Sequence, residues 1–386
     1  MRLSKSTVQD GVIEASFEKN NGGILINRRR ALARIGAISV TTPSLVKFFG
    51  GSTVASGLLH GCGSEEMASE DVSQLRVALA WINNVEYAGL FVAQAKSFYD
   101  SYGVKPIFLP GGPNAPMPSV SVAAAAAQLG FDNDLRRFIE AINLGNDFVI
   151  IGAQYQRSPG GVISLANRPV RRAEDLVGCR FLGQEGVKTI VDAALTLAGL
   201  PLEYTYLPAG YSVSSLVENQ GDAYSGFAVN QPITLENEYG MKPNIDYFFT
   251  SWADLGLHGY ANMLFCHRQF LDENFQEAVR FLAGTIQGWR ANFENPAFGV
   301  DLVLSEYGRN LGLDRAQQMK QNLIQAEYMK SDLTQEKGLF WVDAGTMEEK
   351  MYPSLIAGGV EELPDANAVV DTRVLEAAYE LISKSR

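Results

Sequence analysis

Trp81, Tyr155, Tyr211, Tyr224 and Tyr260 stand near the ends of predicted strands, and Tyr87 starts a predicted helix. Asn84, Gln154, Gln156, Gln184, Glu185, Asp222 and Asn230 lie on adjacent turns. Such rings can stack on a flat ligand, each pair contributing about 0.5–1.5 kcal/mol beyond area burial. Amides and carboxylates together offer donors and acceptors, which suits the edge of a heteroaromatic ring such as a pyrimidine or an isoalloxazine. This is the chemistry of capture rather than of bond making. The three histidines are His60, His258 and His267, and neither a CxxC nor an HExxH spacing occurs, so metal or histidine catalysis has little to stand on. No cofactor is expected. Cys179 and Cys266 lie in apolar runs and read as buried thiols on strands.

The elements that must position these residues alternate between strand and helix. Leu75–Trp81 reads as a strand, Tyr87–Tyr102 as an amphipathic helix ended by Gly103, and Val104–Leu109 as the next strand. Gly111-Gly112-Pro113-Asn114 is a turn by its chemistry. Leu135–Leu144 follows as a helix and Phe148–Gly152 as an apolar strand. A second set of strand and helix patterns runs from Gly161 to Thr250, with a Gly-flanked turn at Gly183–Gly186 before a helix over Val187–Ala198. Free backbone N–H groups at the start of that helix could hold a ligand oxygen. Tyr260–Cys266 returns as a strand, and helices dominate from Phe270 onward. The fold class expected is α/β, with mostly parallel sheets covered by helices. A length beyond one comfortable core predicts two lobes: 75–160 and 257–386 for the first, with 161–256 inserted as the second. Connections near Ser158–Leu165 and Leu257–Cys266 would form a hinge, and Arg157 borders it.

The N-terminal segment differs from this body. Residues 1–61 carry a net charge of +5, leaving −16 on residues 62–386. Arg28-Arg29-Arg30 precedes a modest apolar run from Ile35 to Val46, the order of a twin-arginine export signal, although Ala31 stands where that pattern prefers Phe. Leu59-His60-Gly61-Cys62 resembles a lipoprotein cleavage box, which makes Cys62 the candidate lipidated residue. Pro43, Lys47, Gly50 and Gly51 interrupt the run before it reaches the ~20 residues a membrane-spanning helix needs. Residues 62–74 read as a small, acidic, flexible tether. The acidic body is not expected to bind nucleic acid.

Several stretches carry a family resemblance. LRVALAWINNVEYAGLFVAQAKSFYDSYGVKPIFLPGG (75–112), IIGAQYQRSPGGVISL (150–165), RAEDLVGCRFLGQEG (172–186) and LVENQGDAYSGFAVNQP (216–232) are collinear with the motifs of the NMT1/THI5-like family. That family includes sulfonate, nitrate and thiamine-pyrimidine binders, and the chain is similar to it over most of residues 75–300. One stretch departs: where many members carry Gly-x-Ala-Asp after the second strand, this chain reads AAAAAQLGFDND (123–134). The resemblance implies a two-lobed periplasmic-binding-protein fold of type II and delivery of a small ligand to the permease of an ABC importer. It implies an exported protein, periplasmic or anchored to the outer face of the cytoplasmic membrane through lipid only, acting as a monomer.

Charge then separates the ligand classes. Glu185 and Asp222 near the expected site would repel an oxyanion, whereas a thiamine-pyrimidine precursor or a riboflavin-like ring meets the aromatic and amide set. A nitrate or sulfonate binder and a periplasmic sensor domain are the alternatives. Enzymatic relatives that build the thiamine pyrimidine use an active-site His and a Cys-rich iron motif, and this chain has no Cys cluster.

Overall fold

The computed structural model describes residues 73–385. The leader 1–61, Cys62 and nearly all of the tether lie outside the described residues. Two five-stranded sheets organise the body. The first contains β1 (Ser73–Ala78), β2 (Val104–Leu109), β3 (Leu129–Asp132), β4 (Phe148–Tyr155) and, from much later in the chain, β10 (Ala261–His267), in the order β2-β1-β3-β10-β4. The second contains β5 (Gly160–Leu165), β6 (Arg180–Gly183), β7 (Thr205–Pro208), β8 (Ala223–Phe227) and β9 (Tyr247–Ser251), in the order β7-β6-β8-β5-β9.

One strand in each sheet runs against the rest. β1 pairs in parallel with β2 and β3, while β10 is antiparallel to β3 and β4. β6 pairs in parallel with β7 and β8, while β5 is antiparallel to β8 and β9. The route of the chain explains both exceptions. It leaves the first sheet at the C-terminal end of β4 and enters the second with Gly160 opposite Phe227, the C-terminal end of β8. It leaves the second sheet at Ser251 and re-enters the first with Ala261 opposite Tyr155. Each returning strand therefore starts where its neighbours end. The C-terminal ends of the parallel strands in both sheets face the crossings, which is where α/β sheets bind ligands. Glycine is required at the first crossing, because a Cβ on Gly161 would stand 2.4 Å from the Thr250 carbonyl oxygen.

Helices flank the sheets. Around the first sheet lie α1 (Ala88–Ala95), α2 (Phe98–Ser101), α3 (Pro118–Ala123) and α4 (Leu135–Asn143). The second has α5 (Val187–Leu197), α6 (Ser214–Val217) and α7 (Gln231–Asn237). After β10 come α8 (Arg268–Glu273), α9 (Phe275–Glu294), α10 (Pro296–Leu302), α11 (Arg315–Tyr328), α12 (Asp332–Lys337), α13 (Ala344–Thr346), α14 (Tyr352–Ala357), α15 (Ala366–Val369) and α16 (Arg373–Lys384). No helix among the described residues is long and apolar enough to cross a membrane.

The helix predicted over 87–102 is broken. Ser97 adopts a left-handed φ of 56° and splits it into α1 and α2, after a 3-10 turn at Val85–Tyr87. The predicted strand Phe148–Gly152 continues to Tyr155, with every residue buried. α3, just before the alanine-rich stretch 123–134, and β3, within it, go beyond the sequence expectation, because the small residues there carry no period. Cys266 lies on β10 and Cys179 one residue before β6, both buried and free. Burial pushes the Cys179 thiol up to about 12.

Two sets of contacts tie the sheets together away from the crossings. α11, beside the first sheet, reaches α7 beside the second. The Lys320 ammonium meets Glu236 at 2.5 Å, and Gln317 Nε2 donates to the Asn230 carbonyl oxygen at 3.1 Å. On the other side, Tyr352 and Leu355 of α14 belong to the core of the first sheet, while Ala357 packs on that of the second. The ion pair is partly exposed, so its contribution is modest. Lys320→Met is expected to lower the stability of the fold by roughly 0.4–1 kcal/mol at low salt. The gap between variant and parent should shrink at high salt, where such pairs are screened. Urea unfolding of both proteins at two ionic strengths checks this; equal midpoints at low salt would show that the pair contributes nothing to stability.

Candidate functional site

The turn after β1 carries Trp81. Its backbone is fixed twice: the Trp81 N–H donates to the Tyr87 hydroxyl at 3.0 Å, and its carbonyl accepts from the Gly111 N–H at 2.9 Å. The indole projects between the two sheets and meets Tyr211, which follows β7, with centroids 4.9 Å apart and planes tilted by 58°. Tyr211 is half exposed, and its turn is braced from behind. The Gly210 carbonyl oxygen accepts from the Tyr224 hydroxyl at 2.7 Å and from Gln184 Nε2 at 2.9 Å. Gln184 Oε1 in turn accepts from Ser225 Oγ at 2.5 Å.

Around this pair lies a cavity of about 420 Å³, bordered by Trp81, Asn84, Glu86, the Gly112–Pro118 turn, Asp132, Asn133, Arg137, Glu185, Tyr211, Phe227 and Asn230. A second cavity of about 270 Å³ adjoins it and shares Asn133, Arg137, Glu185, Tyr211 and Phe227. The second reaches along the start of α5 to the crossing at His258–Tyr260. Gly186 caps α5 without a side-chain hydrogen bond, so the first N–H groups of that helix adjoin this space. The two cavities form one cleft at the C-terminal edges of both sheets.

The sequence-predicted residues divide into four groups. Trp81, Asn84, Glu185, Tyr211 and Asn230 border the larger cavity. Asn84 is mostly buried there, its Oδ1 accepting from the Glu86 N–H to cap the 3-10 turn. Gln184 and Tyr260 border only the smaller one, and Tyr260 Oη accepts from the Asp343 N–H at 3.2 Å. Tyr224 acts from behind, as the brace just described.

Tyr87, Gln154, Tyr155 and Asp222 are placed elsewhere. Tyr87 and Tyr155 are buried in the core; the Tyr155 hydroxyl donates to Gln325 Oε1 at 2.8 Å. β4 is covered on both faces, which turns Gln154 and Tyr155 inward instead of toward the cleft. Asp222 precedes β8 and so stands at the edge of the second sheet opposite the cleft. There it pairs with Arg180 at 2.8 Å and Arg168 at 3.1 Å. Hydrogen bonding from the Arg180 guanidinium holds its carboxyl below the ordinary carboxylate range. Its work is structural. Gln156 braces the first crossing, donating to the Trp341 carbonyl oxygen and accepting from Ser331.

The structure adds residues that the sequence reading missed. Glu86 and Asp132 bring two carboxyl groups to the cleft from the first sheet's side, and neither has an ion-pair partner among the described residues. Burial raises both carboxyls above their ordinary values, Asp132 to about 6. Arg137 also faces the cavity but is held by Asp134 at 2.6 Å, and the neighbouring Arg136 by Glu140 at 2.5 Å. Asp132, Asn133 and Asp134 all fall in the stretch that departs from the family pattern. That departure was the available signal, and the order of Asp-Asn-Asp after an apolar Leu-Gly-Phe could have marked a strand end.

The sequence profile of the NMT1/THI5-like family matches residues 84–298, more than half of the chain. The riboflavin-binding protein RibY of Chloroflexus aurantiacus is 24% identical over 313 residues, covering 77% of this chain and 84% of its own. The periplasmic aliphatic sulphonate-binding protein SsuA of Escherichia coli superposes with a TM-score of 0.58 at 15% identity, over 78% of this chain and 92% of that one. The periplasmic nitrate-binding protein NrtA of Synechocystis PCC 6803 superposes with a TM-score of 0.55 at 12% identity, over 81% and 89%. With the profile matched over more than half of the chain, this chain belongs to the NMT1/THI5-like family.

Proposed function

We propose that the protein is the extracytoplasmic solute-binding component of an ABC importer and captures a small heteroaromatic ligand by closure of two lobes, one on each sheet. The observation that carries this reading is the Trp81–Tyr211 pair, one ring from each sheet, meeting across the cleft. A cavity of about 420 Å³ is in the size range of small-molecule sites. Two rings that sandwich a third must stand farther apart than rings in direct contact, whose centroids lie about 4.5–7 Å apart. At 4.9 Å the two rings are in direct contact, so a sandwiched ligand requires the lobes to part at this point. The crossings at 156–159 and 252–260 are the segments that would bend. The ring-ligand reading covers a thiamine-pyrimidine precursor and a riboflavin-like molecule, and the relation to RibY supports the second.

An oxyanion ligand is the competing reading, because the sulphonate- and nitrate-binding proteins share this fold. Two carboxyls without cationic partners line the cleft, and the two arginines there are already paired, so the electrostatics oppose it. Purified from a producing cell and denatured, the full-length protein should release a heteroaromatic compound detectable by mass spectrometry, with yellow absorbance in the flavin case. Release of a sulfonate or nitrate alone would overturn the reading. For anchoring, Cys62→Ala is expected to move the protein from the membrane fraction to the soluble one; an unchanged distribution would remove Cys62 as the lipid attachment point.

A further inference from the structure

Glu86 is supported in a way that a surface carboxylate is not. It sits in the 3-10 turn after Trp81, borders the larger cavity, and keeps only part of its surface open. Asn262 Nδ2 donates to its Oε1 at 2.9 Å, and Gln154 Nε2 donates to its backbone oxygen at 2.8 Å. Asn262 is fully buried and holds a left-handed φ of 47°, which side chains other than Gly adopt only with local support. Its N–H donates to Asn133 Oδ1 at 2.9 Å, so one asparagine links Glu86 to the Asp132–Asn133 strand end. On the acceptor side the same network is unfinished. Asn262 Oδ1 and Gln154 Oε1 are buried with no donor, and no Lys, Arg or His pairs with Glu86 among the described residues. Glu86 is thus a part-buried carboxylate held by a neutral amide donor and no cation, an arrangement that carries a desolvation cost. Asn262 supplies one donor, and the open part of the carboxylate faces the cleft, where a ligand can supply another.

We infer that Glu86, positioned by Asn262, is the specificity-determining acceptor of the cleft and selects a ring whose edge carries a hydrogen-bond donor: a ring N–H, an amino group or a protonated ring nitrogen. The inference rests on the ring-ligand reading above and sharpens it. Stacking between Trp81 and Tyr211 tolerates any flat ring, since every ring has a face. A buried acceptor does not, because a ligand lacking the donor leaves the carboxylate unpaired. Oxyanions are rejected by the same group.

A proton competes with the ligand for this acceptor. Burial raises the Glu86 carboxyl, so affinity for a neutral donor-bearing ring falls as pH drops through that raised value. Affinity for an oxyanion would move the other way. Asp132 and Arg137, the latter paired with Asp134, line the same cavity as Glu86, as does Glu185, and Tyr87 and Tyr155 lie behind it. Burial also raises the Asp132 carboxyl, to about 6, so a second cleft carboxyl adds to the pH dependence. Its contribution is separated by Asp132→Asn, which should keep the part of the pH slope that belongs to Glu86.

The test titrates the full-length protein, its E86Q and its D132N variants with riboflavin, 3-methylriboflavin (whose ring N–H is blocked) and a 4-aminopyrimidine, between pH 5 and 8. The parent should discriminate against the blocked flavin, or bind the aminopyrimidine, at least about tenfold better than E86Q does. The pH slope should flatten in E86Q and persist in D132N. Thermal unfolding without ligand supplies an independent reading: E86Q should be as stable as the parent or more so, since it removes an uncompensated buried charge. A rings-bind result with affinity, discrimination and pH slope unchanged in E86Q overturns the role of Glu86 and leaves the ring reading standing. Failure of every ring to bind, with capture of nitrate or a sulfonate instead, overturns both.

Discussion

Trp81→Ala is expected to weaken capture of a ring ligand by at least about tenfold, a loss of roughly 1.4 kcal/mol or more. Stacking alone contributes about 0.5–1.5 kcal/mol per ring pair, and the lost contact area of the indole adds to it. The fold should survive, because Trp81 is part-exposed on a turn whose anchoring hydrogen bonds come from its own backbone. Dissociation constants measured by fluorescence or calorimetry, with thermal unfolding as control, separate the two effects. An unchanged affinity would take Trp81 out of the site, whatever its contact with Tyr211.

The second large effect concerns the platform beneath that turn. α1, which continues from it, crosses α9 at a pair of glycines. A Cβ on Gly288 would stand 2.1 Å from the Gly89 carbonyl oxygen and 2.8 Å from the Ala93 N, both backbone atoms of α1. Gly89 in turn lies against the Trp289 ring, where a Cβ would fall within 2.3 Å. Gly288→Val must push the helices apart, which typically costs about 1–3 kcal/mol or more. The sign is informative. Valine is a better helix former than glycine by a few tenths of a kcal/mol, so an uncrowded site would be slightly stabilised. A lower urea midpoint with an unchanged slope is expected. Because α1 starts directly after Asn84 and Glu86, ligand affinity should fall as well. A midpoint equal to or above the parent would show that the crossing yields freely.

Most of the architecture was legible because it rests on patterns that sequence carries. Val104–Leu109 alternates and Phe148–Ile151 is an unbroken apolar run, and both became strands. The boundary errors have local causes. Nothing in Ala95–Tyr99 marks Ser97 as left-handed, so the helix break was hidden. β3 has four residues inside an alanine-rich stretch, too few to show a period.

The site was less legible than the fold, for a reason of geometry. Proximity to a strand end is visible in sequence, but which end faces the cleft is not. Tyr224 and Asp222 flank the same end of β8, the start, whereas the cleft lies at Phe227. Trp81, Tyr211 and Asn230 follow the C-terminal ends of their strands, and these are the ones that border the cavity. Glu86 was passed over because a carboxylate in a first helical turn usually caps or faces water. Only the partners Asn262 and Gln154, far away in the chain, make it a buried acceptor. The expectation that acidic groups would exclude oxyanions therefore rests on Glu86, Asp132 and Glu185, with Asp222 playing no part in it.

Calorimetric titration of the full-length protein against riboflavin, a thiamine-pyrimidine precursor, nitrate and a short alkanesulfonate tests the central claim most directly. The account predicts saturable binding of at least one ring, quenching of tryptophan fluorescence as it stacks on Trp81, and no measurable heat from either anion at the same concentration. Tight binding of nitrate or the sulfonate with no response to any ring would contradict it.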